Sequence, residues 1–147
     1  ETQLNRMGAI LSAEQDDRPE YGSVPRIHHP RVGKAVFLSD FLAPDEAIFP
    51  RIREAAGRGT TGVLLQILDP AEEEYPFAGR TRFESMGAAL AHETDEARSL
   101  RAAYLHRLAE RRDALAGAGA GWRLIPHRTD ESPRRALLAL FAALGGA

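Results

Sequence analysis

The sequence predicts an α/β domain in three layers, a mainly parallel sheet covered by helices on both faces, with a small antiparallel ribbon inserted. Three observations carry this expectation. Two short apolar runs, Lys34 to Asp40 and Gly62 to Asp69, lack the alternation of a half-exposed strand and each ends in Asp, the pattern of strands covered on both faces in a parallel sheet. One helix-length segment separates them, the crossover that a parallel pair requires. A third run, Trp122 to His127, follows a long helical pattern, so strands alternate with helices along the chain.

The elements follow in order. Leu4, Met7, Ile10 and Leu11 stand at helical spacing and predict a first helix over about Gln3 to Glu14. A stretch punctuated by Pro19 and Gly22 ends it, and residues 1–31 read as an N-terminal helix and linker ahead of the main domain at 32–147. After the first strand, Ala43-Pro44-Asp45-Glu46 opens a helix, with acids beside the positive end of the helix dipole. Ala47, Ile48, Ile52, Ala55 and Ala56 can line its buried face, and Gly57 to Gly59 stops it. Asp69-Pro70 breaks the second strand, and Ala71 to Glu74 reads as an acidic turn. Tyr75 to Met86, with Phe77 and Phe83 flanking Ala78-Gly79, reads as a small antiparallel ribbon or an ordered loop, and as either a partner surface or a lid on the core. Thr94 before Asp95-Glu96 predicts an N-cap, and the helix after it keeps Ala97, Leu100, Tyr104, Leu108 and Leu115 on one side. Pro126 marks the third strand as an edge or its end. Ser132-Pro133 opens the last helix and Gly145-Gly146 closes it, with Leu137, Leu140, Phe141 and Leu144 as the inner stripe.

Composition narrows the function classes. A chain of 147 residues with 44% hydrophobic and 27% charged side chains suits one core-forming domain. The formal charge of -2 and the scatter of Lys and Arg argue against nucleic acid or an anionic membrane as the main partner. With no cysteine, thiol nucleophiles, disulfides and cysteine-ligated metals are excluded, so any metal must sit on oxygen or histidine. The longest apolar run, Ala136 to Leu144, is about half the ~20 residues of a bilayer span, and no secretory leader is seen. A reducing, cytoplasmic setting is the expectation. The amphipathic opening at Glu1, without Met, reads as a chain entered partway.

In open parallel sheets, ligands collect at the carboxyl ends of the strands. Asp40, Asp69 and Asp130 follow the three predicted strands at that edge, with Ser39 and Thr129 nearby, and such hard oxygen donors suit magnesium or calcium. The alternative is that each Asp caps the helix after its strand. The Gly117 to Gly121 alternation leaves a helix and enters a strand, the reverse of a dinucleotide loop. His28-His29 has no ligand-spaced partner, and His92, His106 and His127 are dispersed. No nucleophile elbow, P-loop or zinc-protease motif occurs.

Five strings stand in order: Val36-Phe37-Leu38-Ser39-Asp40-Phe41-Leu42, Leu64 to Glu72, Pro76-Phe77-Ala78-Gly79 with Arg82-Phe83-Glu84, Leu100 to Tyr104, and Arg128-Thr129-Asp130, over about Val32 to the end. Together they resemble the carboxyl-terminal part of bacterial domain-of-unknown-function family fifty-eight. That family is similar to von Willebrand factor A domains, a Rossmann-like doubly wound sheet with a metal-ion-dependent adhesion site at its carboxyl edge. The resemblance puts Asp40 at the position of the site's last Asp. The Asp-x-Ser-x-Ser loop that supplies most of such a site is absent from this sequence, which implies a partial domain, no cofactor held by it alone and magnesium in the intact protein.

The resemblance further implies a non-enzymatic interaction or assembly module, working with a protein partner such as a MoxR-type AAA+ ATPase. The competing expectation is a small magnesium-dependent hydrolase or phosphoryl-transfer domain using Asp40, Asp69 and Asp130, and a third is a scaffold without a ligand site. A sheet edge left bare by missing strands predicts self-association.

Overall fold

The structure is a computed structural model that describes residues 33–84 and 91–145, with Asn5. The expected helix over Gln3 to Glu14, Asn5 apart, His28-His29 and the boundary near residue 32 lie outside the described residues. Within them the chain runs β1 (Lys34–Ser39), α1 (Asp45–Gly57), β2 (Thr61–Leu68), α2 (Pro70–Glu74), β3 (Thr81–Glu84), β4 (Ala91–Thr94), a 3-10 turn (Ala97–Leu100), α3 (Arg101–Ala116), β5 (Trp122–Arg128) and α4 (Pro133–Gly145).

The described strands form a three-stranded parallel sheet in the order β1-β2-β5 and a separate antiparallel pair, β3-β4. This is an α/β arrangement with a mainly parallel sheet and a small ribbon, as the apolar runs predict. β2 lies between two partners and is buried almost throughout, whereas β5, carrying Pro126, has a paired strand on one side only among the described strands. Strand geometry sends neighbouring side chains to opposite faces. On one face, Phe37, Leu64 and Trp122 pack with Ile48, Phe49 and Ile52 of α1 and Leu115 of α3. On the other, α4 lies over β2 and β5, and Leu65, Ile67, Ala136 and Leu140 line the space between them, which gives the three layers.

Gly62 matters to this core through what it lacks. It stands opposite Ala35 on β1 and Trp122 on β5. A Cβ there would lie 2.0 Å from the Ala35 carbonyl oxygen and 3.0 Å from the Trp122 ring. The space so left lets the indole lie across the sheet and stack on Phe37, with centroids 5.1 Å apart and planes 6° from parallel. The indole N–H then donates to the Thr60 carbonyl at 3.0 Å, so the buried ring leaves no unpaired donor.

Several local expectations are corrected. β1 is not covered on both faces: Leu38 is 61% exposed, because α4 packs on β2 and β5 rather than over β1. Phe49 joins the predicted buried face of α1. The acidic turn is a short helix, α2, because Asp69 caps it and Glu72 closes a capping box. The ribbon pairs Thr81–Glu84 with Ala91–Thr94, so it reaches further along the chain than Tyr75 to Met86. Thr94 therefore ends β4 instead of capping a helix. Glu96 accepts from the Arg98 N–H in that role, and α3 begins at Arg101. On α4, Leu137 and Phe141 are 66% and 78% exposed; the inner stripe is Ala136, Leu140 and Leu144. Lys34 donates to the Leu144 carbonyl and ties the end of α4 to the start of β1.

Candidate functional site

The carboxyl ends of β1, β2 and β5 do bring the sequence-predicted residues to one edge, where each has a partner. Ser39 Oγ accepts from the Phe41 N–H at 3.0 Å, and Asp40 Oδ1 accepts from the Leu42 N–H at 3.0 Å. Ser39 Oγ also donates to Asp40 Oδ1 at 3.3 Å. These bonds shape the turn that leads from β1 towards α1. Asp69 Oδ1 accepts from the Ala71 N–H at 2.8 Å, the capping role, while its Oδ2 accepts from Thr129 Oγ1 at 3.1 Å, which ties the end of β2 to the loop after β5. Among the described residues Asp130 makes no bond that caps a helix. It takes a two-pronged bond from Arg128, at 3.0 and 2.9 Å, and these hydrogen bonds hold its carboxyl below the usual aspartate value and raise the Arg128 guanidinium.

A buried glutamine joins this edge to the helices. Gln66 is fully buried, donates Nε2 to the Asp40 carbonyl at 3.0 Å, and accepts from Arg112 Nε at 2.9 Å. Arg112 continues to Glu73, and Arg128 reaches Glu74 at 2.7 Å. Gln66 is not among the edge residues that the strand ends point to. Its signal was visible: a polar residue inside an otherwise apolar central strand needs hydrogen-bond partners.

This geometry bears on metal chemistry. Among the described residues no group of three or more Asp, Glu or His is placed to hold a metal ion. Oxygen-loving cations take six or more oxygen ligands, which Asp40 and Ser39 alone do not supply. The described residues therefore do not fit an adhesion-type ion, nor a magnesium shared by Asp40, Asp69 and Asp130.

Beside the same edge lies a cavity of about 630 Å³ between the ribbon and α3. Tyr75, Phe77 and Phe83 line one side, and Leu100, Ala103 and Tyr104 the other. The phenol of Tyr104 is raised above its ordinary value, first by burial and then by the charge of Glu72, so it stays a neutral hydroxyl. The ribbon aromatics are thus the wall of a cavity, which the spacing around Ala78-Gly79 does not foretell. At the opposite layer the outer stripe of α4, Leu137, Leu138 and Phe141, faces solvent.

The architecture is that of an α/β domain with a parallel sheet, loops gathered at its strand ends and a ribbon set beside them. The model of the family described as "Protein of unknown function DUF58" matches residues 12–114, and the chain belongs to that family. No curated protein and no solved structure matches the chain significantly. Among the described residues no helix is long and apolar enough to cross a membrane.

Proposed function

We propose that this chain is a non-enzymatic protein-interaction and assembly module of the von Willebrand A type, acting with a MoxR-type AAA+ ATPase. The observation that carries the reading is the outer stripe of α4: three large apolar side chains, Leu137, Leu138 and Phe141, adjacent on one helix and turned to solvent. Exposed apolar surface of this kind marks an interaction face. The strand-end edge supports the same reading, because its carboxylates serve turns, caps and ion pairs rather than standing together as an acid-base pair or metal cluster. No step is assigned to a metal.

The test pairs the purified chain with a purified MoxR-type ATPase in sedimentation velocity. Co-sedimentation is expected, with loss on the double substitution Leu137→Glu and Phe141→Glu while the unfolding midpoint of the chain holds. The same preparation is assayed against p-nitrophenyl phosphate with magnesium and with manganese. Turnover that Asp69→Asn abolishes, or failure of the ATPase to bind, would overturn the reading.

A further inference from the structure

The cavity between the ribbon and α3 has a floor, a wall and a charged rim. Tyr75, 5% exposed, is the floor. Tyr104 leans on it from α3 at 4.9 Å between centroids, and Phe83 stacks against it from β3 at 5.8 Å. Phe77 meets both Tyr75 and Phe83 edge-on at 5.2 Å. These rings touch one another, so they form a continuous surface rather than a box around an empty centre. A flat or branched apolar group can lie on that surface, and a volume of about 630 Å³ is ample for one.

The rim sets the charge of what enters. Arg107 of α3 lines the cavity and makes no ion pair or hydrogen bond with a described residue. Glu72 lines it too; its carboxylate keeps its charge but is held at the start of α2, accepting from the Asp69 N–H at 2.8 Å in the capping box. Arg107 is thus a charge at the mouth with no partner among the described residues, and its complement is a carboxylate.

We propose that this cavity docks an extended protein segment that lays an aromatic or large aliphatic side chain on the Tyr75 floor and sets a neighbouring carboxylate on Arg107. The inference rests on the interaction-module reading and gives the chemistry of a partner for a second face of the domain. An apolar anchor next to an acid satisfies both parts of the cavity. An apolar anchor alone leaves Arg107 unpaired, and an acid alone leaves the aromatic surface wet.

The experiment is an amide-shift titration of the full chain by nuclear magnetic resonance. The probe is the acetylated and amidated hexapeptide Gly-Ser-Phe-Asp-Ser-Gly. Its expected shifts cluster at Phe77, Phe83, Tyr104 and Arg107. Replacing the peptide Phe by Ala should weaken binding about tenfold or more, as loss of a buried phenyl requires. Replacing the peptide Asp by Lys should weaken it up to about fivefold, as for an exposed ion pair. Arg107→Glu, an exposed site that leaves the aromatic core intact, should reverse the preference between the Asp and Lys peptides. Shifts confined to other surfaces, an unchanged preference in Arg107→Glu, or N-acetylphenylalanine binding as tightly as the peptide would each overturn the proposal. If the peptide fails while ATPase capture still depends on Leu137 and Phe141, the cavity assignment falls alone; if the ATPase fails and the peptide binds, the wider reading falls instead.

Discussion

Gln66→Leu is the substitution that most directly tests whether the strand-end edge is held by a polar link through the sheet. The change keeps the side chain's approximate size and removes two hydrogen bonds, the one to the Asp40 carbonyl at 3.0 Å and the one from Arg112 at 2.9 Å. The neutral bond is worth about 1 kcal/mol and the one to the charged guanidinium about 1.5–3 kcal/mol. Arg112 retains Glu73, and Asp40 is exposed enough for water to reach it, so neither group is stranded in full. The apolar replacement returns roughly 1 kcal/mol by burial. The balance is a loss of about 2 kcal/mol. Trp122 is the only tryptophan and is buried against Phe37, so its fluorescence reports urea unfolding. With a slope of roughly 2 kcal/mol per molar, the midpoint should fall by about 1 M with the slope unchanged. A Gln66→Leu variant as stable as the parent would refute the reasoning, since well-packed apolar groups can replace buried polar links without loss.

Four further outcomes are expected. Gly62→Ala places a methyl group 2.0 Å from the Ala35 oxygen, so β1 and β2 must part; a loss above about 3 kcal/mol is expected in the same urea assay, and a near-neutral variant would disprove the close approach. Asp69→Ala loses the cap on Ala71 and the bond from Thr129, costing about 1–2 kcal/mol, while Asp69→Asn, which keeps an acceptor, should recover at least half. The pH dependence has opposite signs at its two ends. Tyr104 titrates higher in the folded chain than the ordinary value of 10.0, so the folded state binds more protons above that pH and stability falls as pH rises through the folded value; Tyr104→Phe should flatten this alkaline loss in thermal unfolding. Asp130 titrates below 3.8, so its small contribution is present above that pH and is lost as pH falls through the folded value; Arg128→Gln should remove it. Finally, the chain should self-associate in sedimentation equilibrium through the outer stripe of α4, and Phe141→Glu should shift it towards monomer; a parent that stays monomeric at high concentration would contradict this.

The parallel sheet was legible because β2 is buried nearly throughout, and full burial writes itself as an unbroken apolar run. α4 was legible as a helix but not in its orientation. Its positions 136–144 are all Ala, Leu or Phe, so Ala136, Leu140 and Leu144 make as good a stripe as the expected Leu137, Leu140, Phe141 and Leu144, and tertiary packing decides whether Ala136 or Leu137 and Phe141 turn inward. The edge residues were legible as a set because strand ends locate them. Their employment was not, since a lone Asp after a strand serves equally as ligand, cap or ion-pair partner. For Asp69 the deciding mark is Glu72 three residues on, the spacing of a capping box. For Asp130 it is Arg128, two residues back, close enough to fork onto both carboxylate oxygens. The cavity could not be read at all, because Tyr75 and Tyr104 meet only once α3 has docked on the turn after α2.

That edge and the cavity are connected through two backbone turns. Among the described residues, Phe41 and Tyr75 are the non-glycine residues with left-handed backbone, at φ of 55° and 47°. Each such turn costs roughly 1–2 kcal/mol in a residue bearing a Cβ. Both nevertheless carry an aromatic ring that the fold buries almost completely, and burial of such a ring contributes roughly 1.5–3 kcal/mol in return. Hydrogen bonds fix the geometry. Ser39 and Asp40 hold the amides of Phe41 and Leu42, Gln66 holds the Asp40 carbonyl, and the Tyr75 amide donates to the Ala71 carbonyl at 3.0 Å. Leu42 and Tyr75, placed by these turns, both line the cavity. Ser39 and Asp40 thus do at this edge what a pair of ligands would otherwise do: they organise a binding surface, by bending the chain instead of holding an ion. Backbone strain concentrates where surrounding structure over-determines it and function uses the result, and here both strained turns converge on one aromatic cavity.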